Sequence, residues 1–487
     1  MKKALLALLA LGVTTFSEPY DLTYLPPAEL KTEETPMFVC FGWDDNAYAD
    51  AVTWIDEFTA PLKNSDGSKV RHTFFLTSAY ASGQKPANQQ KPEEVLKSWR
   101  SLYARGHEIG NHTELHEQNK ATADSSYWYG AINRCNKFLL DSIVGKNGKI
   151  EGFRTPYLGY SAPTFKAIKA NGFRYDCSIE KGYEWFKIKD GFQGPNGWVP
   201  DVAFSPGDAK GGKLYWWPYD LKIGAAAGSS PIPGSVLPKA TDGLAGLLEV
   251  PVCRYQYSEN ENLTDAQLLQ IDDAMKVSGV TGFDFNMFKK LCNQAANKEK
   301  MLQVFKFNFQ QRMQGNRCPI TINVHTDYYS DFNLTVNDPS SQDVIKDPVK
   351  DRRWIIEEFT KYVLQFPAVR IVPYTTMLDW MKNPKKTTEY VAPDLKPSVG
   401  VVQKTSATKN FSGICTRVNG TMLVIENESA KMVQGKIMAV NGRQVGVDIS
   451  IPTRGLILDI KGVGLSSGVY ILSVNGAANT LSRFVVK

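Results

Sequence analysis

Histidine is rare in this chain of 487 residues, and two of its five histidines, His112 and His116, stand four positions apart. On one turn of a helix such a pair shares a face, so both imidazoles could reach a single metal ion. Two adjacent carboxylates, Asp44 and Asp45, follow an apolar run, and a cation would explain why both lie at the end of a buried strand. Each feature alone is weakly specific, because histidine pairs often lie on a helix surface by chance and aspartate pairs often cap turns.

The elements that must position these residues alternate along the chain. Short apolar runs predict strands at residues 37–43, 73–77, 108–112, 150–154, 174–177, 247–252, 320–325 and 369–372. Amphipathic patterns between several of them predict helices at residues 93–105, 163–170 and 354–366. Such alternation indicates a parallel α/β sheet or barrel, in which the carboxyl ends of the strands share one edge.

Four motifs occur in an order that resembles carbohydrate esterase family 4, the polysaccharide deacetylases. They are Phe41-Gly42-Trp43-Asp44-Asp45, His112-Thr113-x-x-His116, Arg154-Thr155-Pro156-Tyr157 and a strand that ends in His325. The resemblance extends over residues 36–383, and further stretches such as Tyr175-Asp176-Cys177 look like the chitin-deacetylase-like branch. It implies an α/β fold, a distorted (β/α) barrel of the polysaccharide deacetylase type. Asn46 departs from the Gly or Ala usual in the family, and Asn323 replaces an apolar residue.

The resemblance also implies a role for each matching residue. It implies that Asp45, His112 and His116 are the ligands of a divalent metal. Zn²⁺ is the default ion for this donor set. It makes Asp44 the general base, His325 the general acid and Arg154 the residue that orients the base. Asp176 matches the acid that tunes the catalytic histidine. The residues expected to bind substrate are Pro156, Tyr157 and Trp217.

The expected reaction is metal-dependent removal of N- or O-linked acetyl groups from a polysaccharide such as chitin, acetylxylan or peptidoglycan. An alternative is a catalytically inactive relative that only binds carbohydrate. A zinc peptidase does not fit, because the acid Glu114 is not next to the first histidine as HExxH requires. A non-haem iron oxygenase shares the two-histidine, one-carboxylate ligand set but not the strand–helix alternation.

The two ends of the chain have different patterns. Residues 1–17 combine a basic start with a short apolar stretch, which predicts a secretory signal peptide before a catalytic domain at 18–383. Residues 384–404 are rich in Pro, Lys and Thr and predict a linker. Short β-type runs separated by Asn-Gly turns predict a small β-sandwich at 405–487.

The C-terminal segment resembles the sorting domain of type IX secretion substrates, on Gly435-Lys436-Ile437, Gly468-Val469-Tyr470 and the terminal Arg483-Phe484-Val485. The resemblance implies the type IX machinery as a partner and export through the periplasm of a Gram-negative bacterium, to the cell surface or the medium. An accessory carbohydrate-binding sandwich is the alternative. The net charge of +6 comes without a Lys/Arg-rich block, which argues against nucleic acid, and no segment after the signal predicts a membrane helix.

Overall fold

The computed structural model describes residues 19–23, 25–181, 185–187, 198–200, 216–225, 232–253, 284, 298–314, 316–333 and 348–394, together with seven strands between residues 414 and 486. The chain divides into two compact units, Met1–Pro397 and Ser398–Lys487. The predicted signal peptide at 1–17 lies outside the described residues. Within the described part, no helix is both long and apolar enough to cross a membrane.

The first unit is built on a mostly parallel sheet. Its strands are β1 (Met37–Asp44), β2 (Thr73–Leu76), β3 (Glu108–Asn111), β4 (Gly152–Phe153), β5 (Tyr175–Asp176), β9 (Tyr219–Asp220), β10 (Leu248–Glu249), β12 (Ile320–His325) and β13 (Val369–Ile371). The order across the sheet is β12-β1-β2-β3-β4-β5-β10-β9, with β13 also paired to β1. Only the β9–β10 pairing is antiparallel.

A small strand pair brings the two ends of this sheet together. The remaining strands of the unit are β6 (Glu180–Lys181), β7 (Trp185–Lys187), β8 (Trp198–Pro200) and β11 (Val252–Cys253). Strand β11 pairs with β6, and the backbone N–H of Cys253 donates to Oγ1 of Thr321 on β12 at 3.1 Å. The sheet therefore curls toward itself, and the predicted distorted (β/α) barrel is confirmed.

Helices connect the strands, as the alternating pattern predicts. They are α1 (Ala49–Thr59), α2 (Ser78–Ser82), α3 (Pro92–Ala104), α4 (Ser125–Leu139), α5 (Ala162–Ala170), α6 (Lys298–Gln314), α7 (Pro348–Val363) and α8 (Tyr374–Lys382). The predicted helix at 93–105 corresponds to α3. The one at 354–366 overlaps the second half of α7, which begins six residues earlier and ends three residues earlier.

Strand β1 shows why the sheet must be covered on both faces. All eight of its residues are buried. Val39, Phe41 and Trp43 belong to the larger hydrophobic core, whereas the alternate residues Phe38 and Cys40 belong to a second core that also contains side chains of α8. Alternating residues of a strand point to opposite faces, so a continuous apolar run is what a doubly covered parallel strand requires.

The boundary of the predicted linker differs from the prediction. Residues 384–394 pack on the first unit: Tyr390 and Ala392 are buried, and the backbone N–H of Thr387 donates to the carbonyl of Glu34 at 2.7 Å. A segment with those contacts is part of the domain rather than a free connection. The rest of the predicted linker, residues 395–404, lies outside the described residues.

The second unit contains two antiparallel sheets. One consists of β14 (Ile414–Asn419), β15 (Met422–Asn427) and β18 (Leu456–Asp459), and the other of β16 (Val433–Ala439), β17 (Gln444–Ile451), β19 (Gly468–Asn475) and β20 (Thr480–Val486). The β-type runs identified in the sequence therefore form strands. That the two sheets pack as a sandwich stays a prediction.

Candidate active site

The register of the parallel sheet brings the sequence-predicted residues to one edge. Asp44 on β1 is the direct neighbour of His325 on β12. His112 follows β3 and Arg154 follows β4, and these strands pair at Asn111 and Phe153. Because all these strands run in the same direction, their last residues and the loops after them lie together.

Asp45, His112 and His116 form a buried cluster whose potential ligand atoms all lie within 4.8 Å of one another. Oδ1 of Asp45 is 3.0 Å from Nε2 of His116 and 3.7 Å from Nε2 of His112. The carbonyl of Arg154 accepts from Nδ1 of His112 at 2.7 Å, so the ring carries its proton on Nδ1 and turns a lone pair on Nε2 toward Asp45.

The two histidines converge through a loop and not through a helical turn, which corrects the sequence expectation. Strand β3 ends at Asn111, and residues 112–116 are not helical. Thr113 and His116 have positive φ angles of 69° and 49°. The side chain of Asn111 accepts from the backbone N–H of Thr113 at 2.8 Å and fixes the turn. Left-handed backbone at non-glycine residues is costly and is concentrated at functional sites.

The cluster fits a divalent cation. Oδ1 of Asp45 is buried and accepts no hydrogen bond from any described residue, as expected for an atom whose partner is an ion. Burial lowers the pKa of His112 to about 3, and burial also lowers the pKa of His116, so both imidazoles are neutral and able to ligate. Two nitrogens and one carboxylate are a common zinc donor set.

Asp44 is buried beside a buried guanidinium. Nη1 of Arg154 donates to Oδ1 of Asp44 at 2.7 Å and to Oδ1 of Asn323 at 2.6 Å. Burial raises the pKa of Asp44 to about 6, and Arg154 limits the rise. Asn323, a departure from the family pattern, is therefore a second acceptor that holds the guanidinium, and sequence reasoning did not assign it a role.

Gly42 explains how Arg154 comes so close to β1. A Cβ at this position would lie 2.9 Å from Nη1 and Nη2 of Arg154 and 2.7 Å from the hydroxyl oxygen of Tyr374. That hydroxyl accepts from Nη2 of Arg154 at 3.1 Å. Only glycine leaves space for this layer of polar groups against the strand.

The acid that pairs with His325 is Asp284 and not Asp176. Oδ1 of Asp284 lies 3.0 Å from Nδ1 of His325, and its second oxygen accepts from the backbone N–H of His325. Burial opposes protonation of His325, but Asp284 outweighs burial and raises the pKa of the histidine to about 10. Asp284 follows Gly282-Phe283 in a stretch without a recognised motif, so the sequence offered no signal for it.

Asp176 instead accepts hydrogen bonds within its own turn. Its two carboxylate oxygens accept from the hydroxyl and the backbone N–H of Ser178, at 2.8 and 2.9 Å. On the neighbouring strand, Glu249 pairs in register with Asp176. Burial raises the pKa of both carboxyls, to about 7 for Asp176 and well above the usual value for Glu249.

The three expected substrate-binding residues have different environments. The side chain of Tyr157 is exposed, and its ring centre lies 4.6 Å from that of His116, so it borders the metal cluster. Pro156 is buried next to it. Trp217 is completely buried and stacks on Trp380 with ring centres 5.8 Å apart, so it is a core residue that does not line the site.

The arrangement can perform acid–base chemistry on a bound substrate. A carboxylate with a raised pKa and a histidine that stays protonated at neutral pH stand on adjacent strands, next to three groups suited to a cation. Groups with opposite tasks and shifted pKa values in one place are typical of a hydrolytic active site.

A comparison with protein families finds one match within the first unit. Residues 36–175 match the family model described as polysaccharide deacetylase. The match includes Asp44, Asp45, His112, His116 and Arg154. No curated protein matches the chain.

Several solved structures are similar over part of the chain. A family 4 carbohydrate esterase from Streptomyces lividans in complex with acetate is 16% identical, with a TM-score of 0.23 over 29% of this chain and 62% of that one. A peptidoglycan N-acetylglucosamine deacetylase is 20% identical, with a TM-score of 0.23 over 32% and 61%. A CE4 family pseudoenzyme from Bacillus anthracis is 17% identical, with a TM-score of 0.23 over 30% and 46%. The chain thus spans less than two thirds of each of these structures.

Proposed function

We propose that this protein is a metal-dependent hydrolase that removes acetyl groups from a polysaccharide. The observation that carries the proposal is the meeting of Asp44, His325 and the Asp45–His112–His116 cluster at one edge of the sheet. The first two supply a base and an acid, and the cluster supplies ligands for a cation. All the groups that acetyl hydrolysis requires are therefore present.

The protein's own residues support both proton transfers of the hydrolysis. Asp44 accepts a proton from the water that attacks the acetyl carbon, and Arg154 keeps Asp44 ionised through a charge-assisted hydrogen bond of 2.7 Å. The bond from the acetyl carbon to the sugar oxygen or nitrogen then breaks. His325 donates a proton to that leaving atom, and Asp284 keeps the imidazole protonated for this step. The products are acetate and a free hydroxyl or amine.

Asp45, His112 and His116 would hold the cation, for which Zn²⁺ is the default among divalent metals with this donor set. Such an ion supplies Lewis-acid activation of water and of the acetyl carbonyl. Two features of this chain support such an ion: the two imidazoles are neutral, and Oδ1 of Asp45 is buried without a hydrogen bond from the part of the chain that the structure describes.

The substrate we propose is an acetylated polysaccharide such as chitin, acetylxylan or peptidoglycan. Tyr157 supports a sugar substrate, because its exposed ring borders the cluster where a pyranose face could stack. Each of these polymers presents an acetyl group on a sugar ring, and the catalytic groups act on that shared feature.

We further propose that residues 1–17 direct export and that residues 405–487 are a type IX sorting domain. The support is the basic-then-apolar pattern of the first segment and the separate C-terminal unit of antiparallel sheets. The protein would then act at the surface of a Gram-negative bacterium or in its medium.

The test is acetate release by the purified protein, zinc-loaded and chelator-treated, on acetylxylan, chitin oligomers and peptidoglycan. We expect zinc-dependent release from at least one polymer. Asp44→Asn should lose about 100-fold or more of the rate because the general base is gone, yet bind zinc as tightly as the wild type. Asp45→Asn is the matched variant one residue away and should lose zinc. If zinc binds to the wild type and no acetate appears from any of the three, the proposal is wrong and the inactive carbohydrate-binding relative is favoured.

A further inference from the structure

A buried serine connects the loop that carries Arg154 to the end of strand β5. The backbone N–H of Thr155 donates to Oγ of Ser178 at 2.9 Å. The Ser178 hydroxyl donates in turn to Oδ1 of Asp176 at 2.8 Å, while the Ser178 backbone N–H donates to Oδ2 at 2.9 Å. None of these three residues is exposed to solvent. The serine hydroxyl is thus oriented by the carboxylate so that its lone pair faces Thr155.

The same strand end also holds the arginine itself. Nε of Arg154 donates to the carbonyl of Cys177 at 2.8 Å, on the residue between Asp176 and Ser178. The segment 176–178 therefore binds two consecutive residues of the loop: Arg154 through the arginine side chain, and Thr155 through the threonine backbone N–H. Two attachments at adjacent residues fix both the position and the direction of the loop.

This loop delivers two groups to the site. Arg154 orients the base Asp44, and Tyr157 lies two residues beyond Thr155 with a positive φ of 57°. A tyrosine in the left-handed region is strained unless its surroundings hold it there. If the Ser178 hydroxyl is removed, the buried N–H of Thr155, two residues before Tyr157, loses its acceptor. A buried donor without an acceptor is costly, so the loop would move until this N–H finds another partner.

We propose that Ser178 and Asp176 are positioning residues, which act through Thr155 to hold Arg154 and Tyr157 in the geometry that deacetylation requires. The inference rests on the proposed function. It replaces the role that the resemblance implied for Asp176, since the partner of His325 is Asp284. Arg154 itself makes five hydrogen bonds, to Asp44, Asn323, Tyr374 and Cys177. In the competing view these bonds hold the loop in place without the hydrogen bond from Thr155 to Ser178.

The experiment compares Ser178→Ala, Ser178→Thr and Ser98→Ala with the wild type on the polymer from which the wild type releases acetate. Ser98 is the matched control, because it is also buried and its hydroxyl also donates a hydrogen bond, in this case to the carbonyl of Val95 in a helix away from the site. We expect S178A to lose about tenfold in kcat, with unchanged zinc affinity, because base and substrate are misplaced while the ligands are not. S178T keeps a hydroxyl and should recover most of the rate. S98A should show a similar loss of melting temperature with normal kcat.

Crystal structures of the wild type and S178A provide a readout that does not depend on turnover. We expect the Arg154–Asp44 contact to lengthen from 2.7 Å and Tyr157 to leave its position over His116 in S178A. An S178A protein with wild-type kcat, or with an unmoved loop in the crystal, overturns the inference while leaving the proposed function intact. A wild type that binds zinc and releases no acetate overturns the proposed function, and the crystal comparison then decides the positioning role alone.

Discussion

Two neighbouring aspartates in this site have opposite surroundings. Asp44 accepts a hydrogen bond from the guanidinium of Arg154, whereas Asp45 faces two neutral imidazoles and accepts no hydrogen bond at Oδ1 from the described residues. Asp45 has a positive φ of 63°, which turns its side chain away from the direction that a regular strand would give it. The change of backbone conformation between the two residues directs their carboxylates to different partners.

The charge of His325 leads to the first prediction. Asp284 raises the pKa of His325 to about 10 against the effect of burial, and a general acid works only while protonated, so kcat/KM should fall as the pH rises through that value. In Asp284→Asn the opposing effect of burial remains and the carboxylate charge is gone. The alkaline limb of the pH–rate profile should therefore move down toward the usual histidine value of about 6.5 or below it.

The control for this prediction is Asp331→Asn, an acid six residues after His325 whose side chain is 65% exposed. It should leave the alkaline limb where the wild type has it. Profiles of kcat/KM between pH 6 and 10.5 on one acetylated oligosaccharide provide the measurement. An unchanged limb in D284N would show that Asp284 does not set the charge of His325.

Among single residues, the sequence predicts those that belong to a recognisable motif. It misses those that only the fold brings next to the site. Asp44, Asp45, His112, His116, Arg154 and His325 are found by motif order, and the structure brings them together. Asp284 is 41 positions from His325, and only the fold brings the two side chains into contact. The resemblance places Asp176 beside the histidine on the basis of a short motif. A short motif does not determine which side chain a carboxylate contacts in the fold.

Among the elements, the turn from β1 into α1 contains two consecutive left-handed residues, Asp45 and Asn46. Asn46 has a φ of 62°, and its side-chain Nδ2 donates to the carbonyls of Trp43 and Phe75 at 2.8 and 2.9 Å. Asparagine adopts the left-handed region more readily than other residues with a Cβ, and its amide can bond to nearby backbone. Asn46 thereby connects the end of β1 to β2 next to Asp44 and Asp45.

The second prediction tests this turn. Asn46→Gly keeps the backbone freedom and loses two buried hydrogen bonds, which should lower the free energy of unfolding by about 1–2 kcal/mol. Asn46→Ala also places a Cβ in the left-handed region and should cost about 1 kcal/mol more. Urea unfolding should therefore rank the proteins as wild type, N46G, N46A. Asn119→Ala, at an exposed asparagine with a φ of 57°, isolates the backbone penalty. Equal stability of N46G and the wild type would mean that the amide contacts do not contribute.

Strand and helix positions were predictable because hydrophobic periodicity decides them. The predicted strand at residues 320–325 coincides with β12, and the predicted helix at 93–105 is shifted from α3 by one residue. The loop at 112–116 was not predictable as a loop, since two histidines four apart fit a helix equally well. What excludes the helix is the left-handed conformation of Thr113, which depends on its hydrogen bond to Asn111 and not on propensity.

At the scale of the whole molecule, the candidate site belongs entirely to the first of the two units. The third prediction follows from that division. Removing residues 398–487 should leave kcat/KM on soluble acetylated oligosaccharides within about twofold of the full chain, since a compact domain with its own core folds alone. In a host with a type IX system the truncated protein should no longer reach the medium. A large loss of kcat/KM would show that the second unit takes part in catalysis, and normal export would contradict its role in sorting.

The stability of the first unit should depend on pH through two buried histidines outside the catalytic set. Nε1 of Trp43 donates to Nδ1 of His72, and the backbone N–H of His72 donates to Nδ1 of His107, both at 3.0 Å. The two rings therefore carry their protons on Nε2 and are neutral. Burial lowers the pKa of His72 to about 3, with Arg71 adding to the effect, and lowers that of His107 well below its usual value despite Asp56 nearby.

The sign of the pH effect follows from these lowered values. In the unfolded chain a histidine binds its proton near pH 6.5, whereas folded His72 does so only near pH 3. Between these limits the unfolded state holds the extra proton, so the free energy of unfolding should fall by about 1.4 kcal/mol for each pH unit of acidification and for each such histidine.

We predict that His72→Asn, whose amide oxygen can still accept from Trp43, is less stable at pH 7 but loses less stability on acidification. Urea unfolding at pH 7, 6, 5 and 4, with a chelator in every sample, measures the two slopes. Trp43→Phe removes the same hydrogen bond without removing a titrating group, so its slope should match the wild type, and parallel curves for H72N and wild type would contradict the assignment.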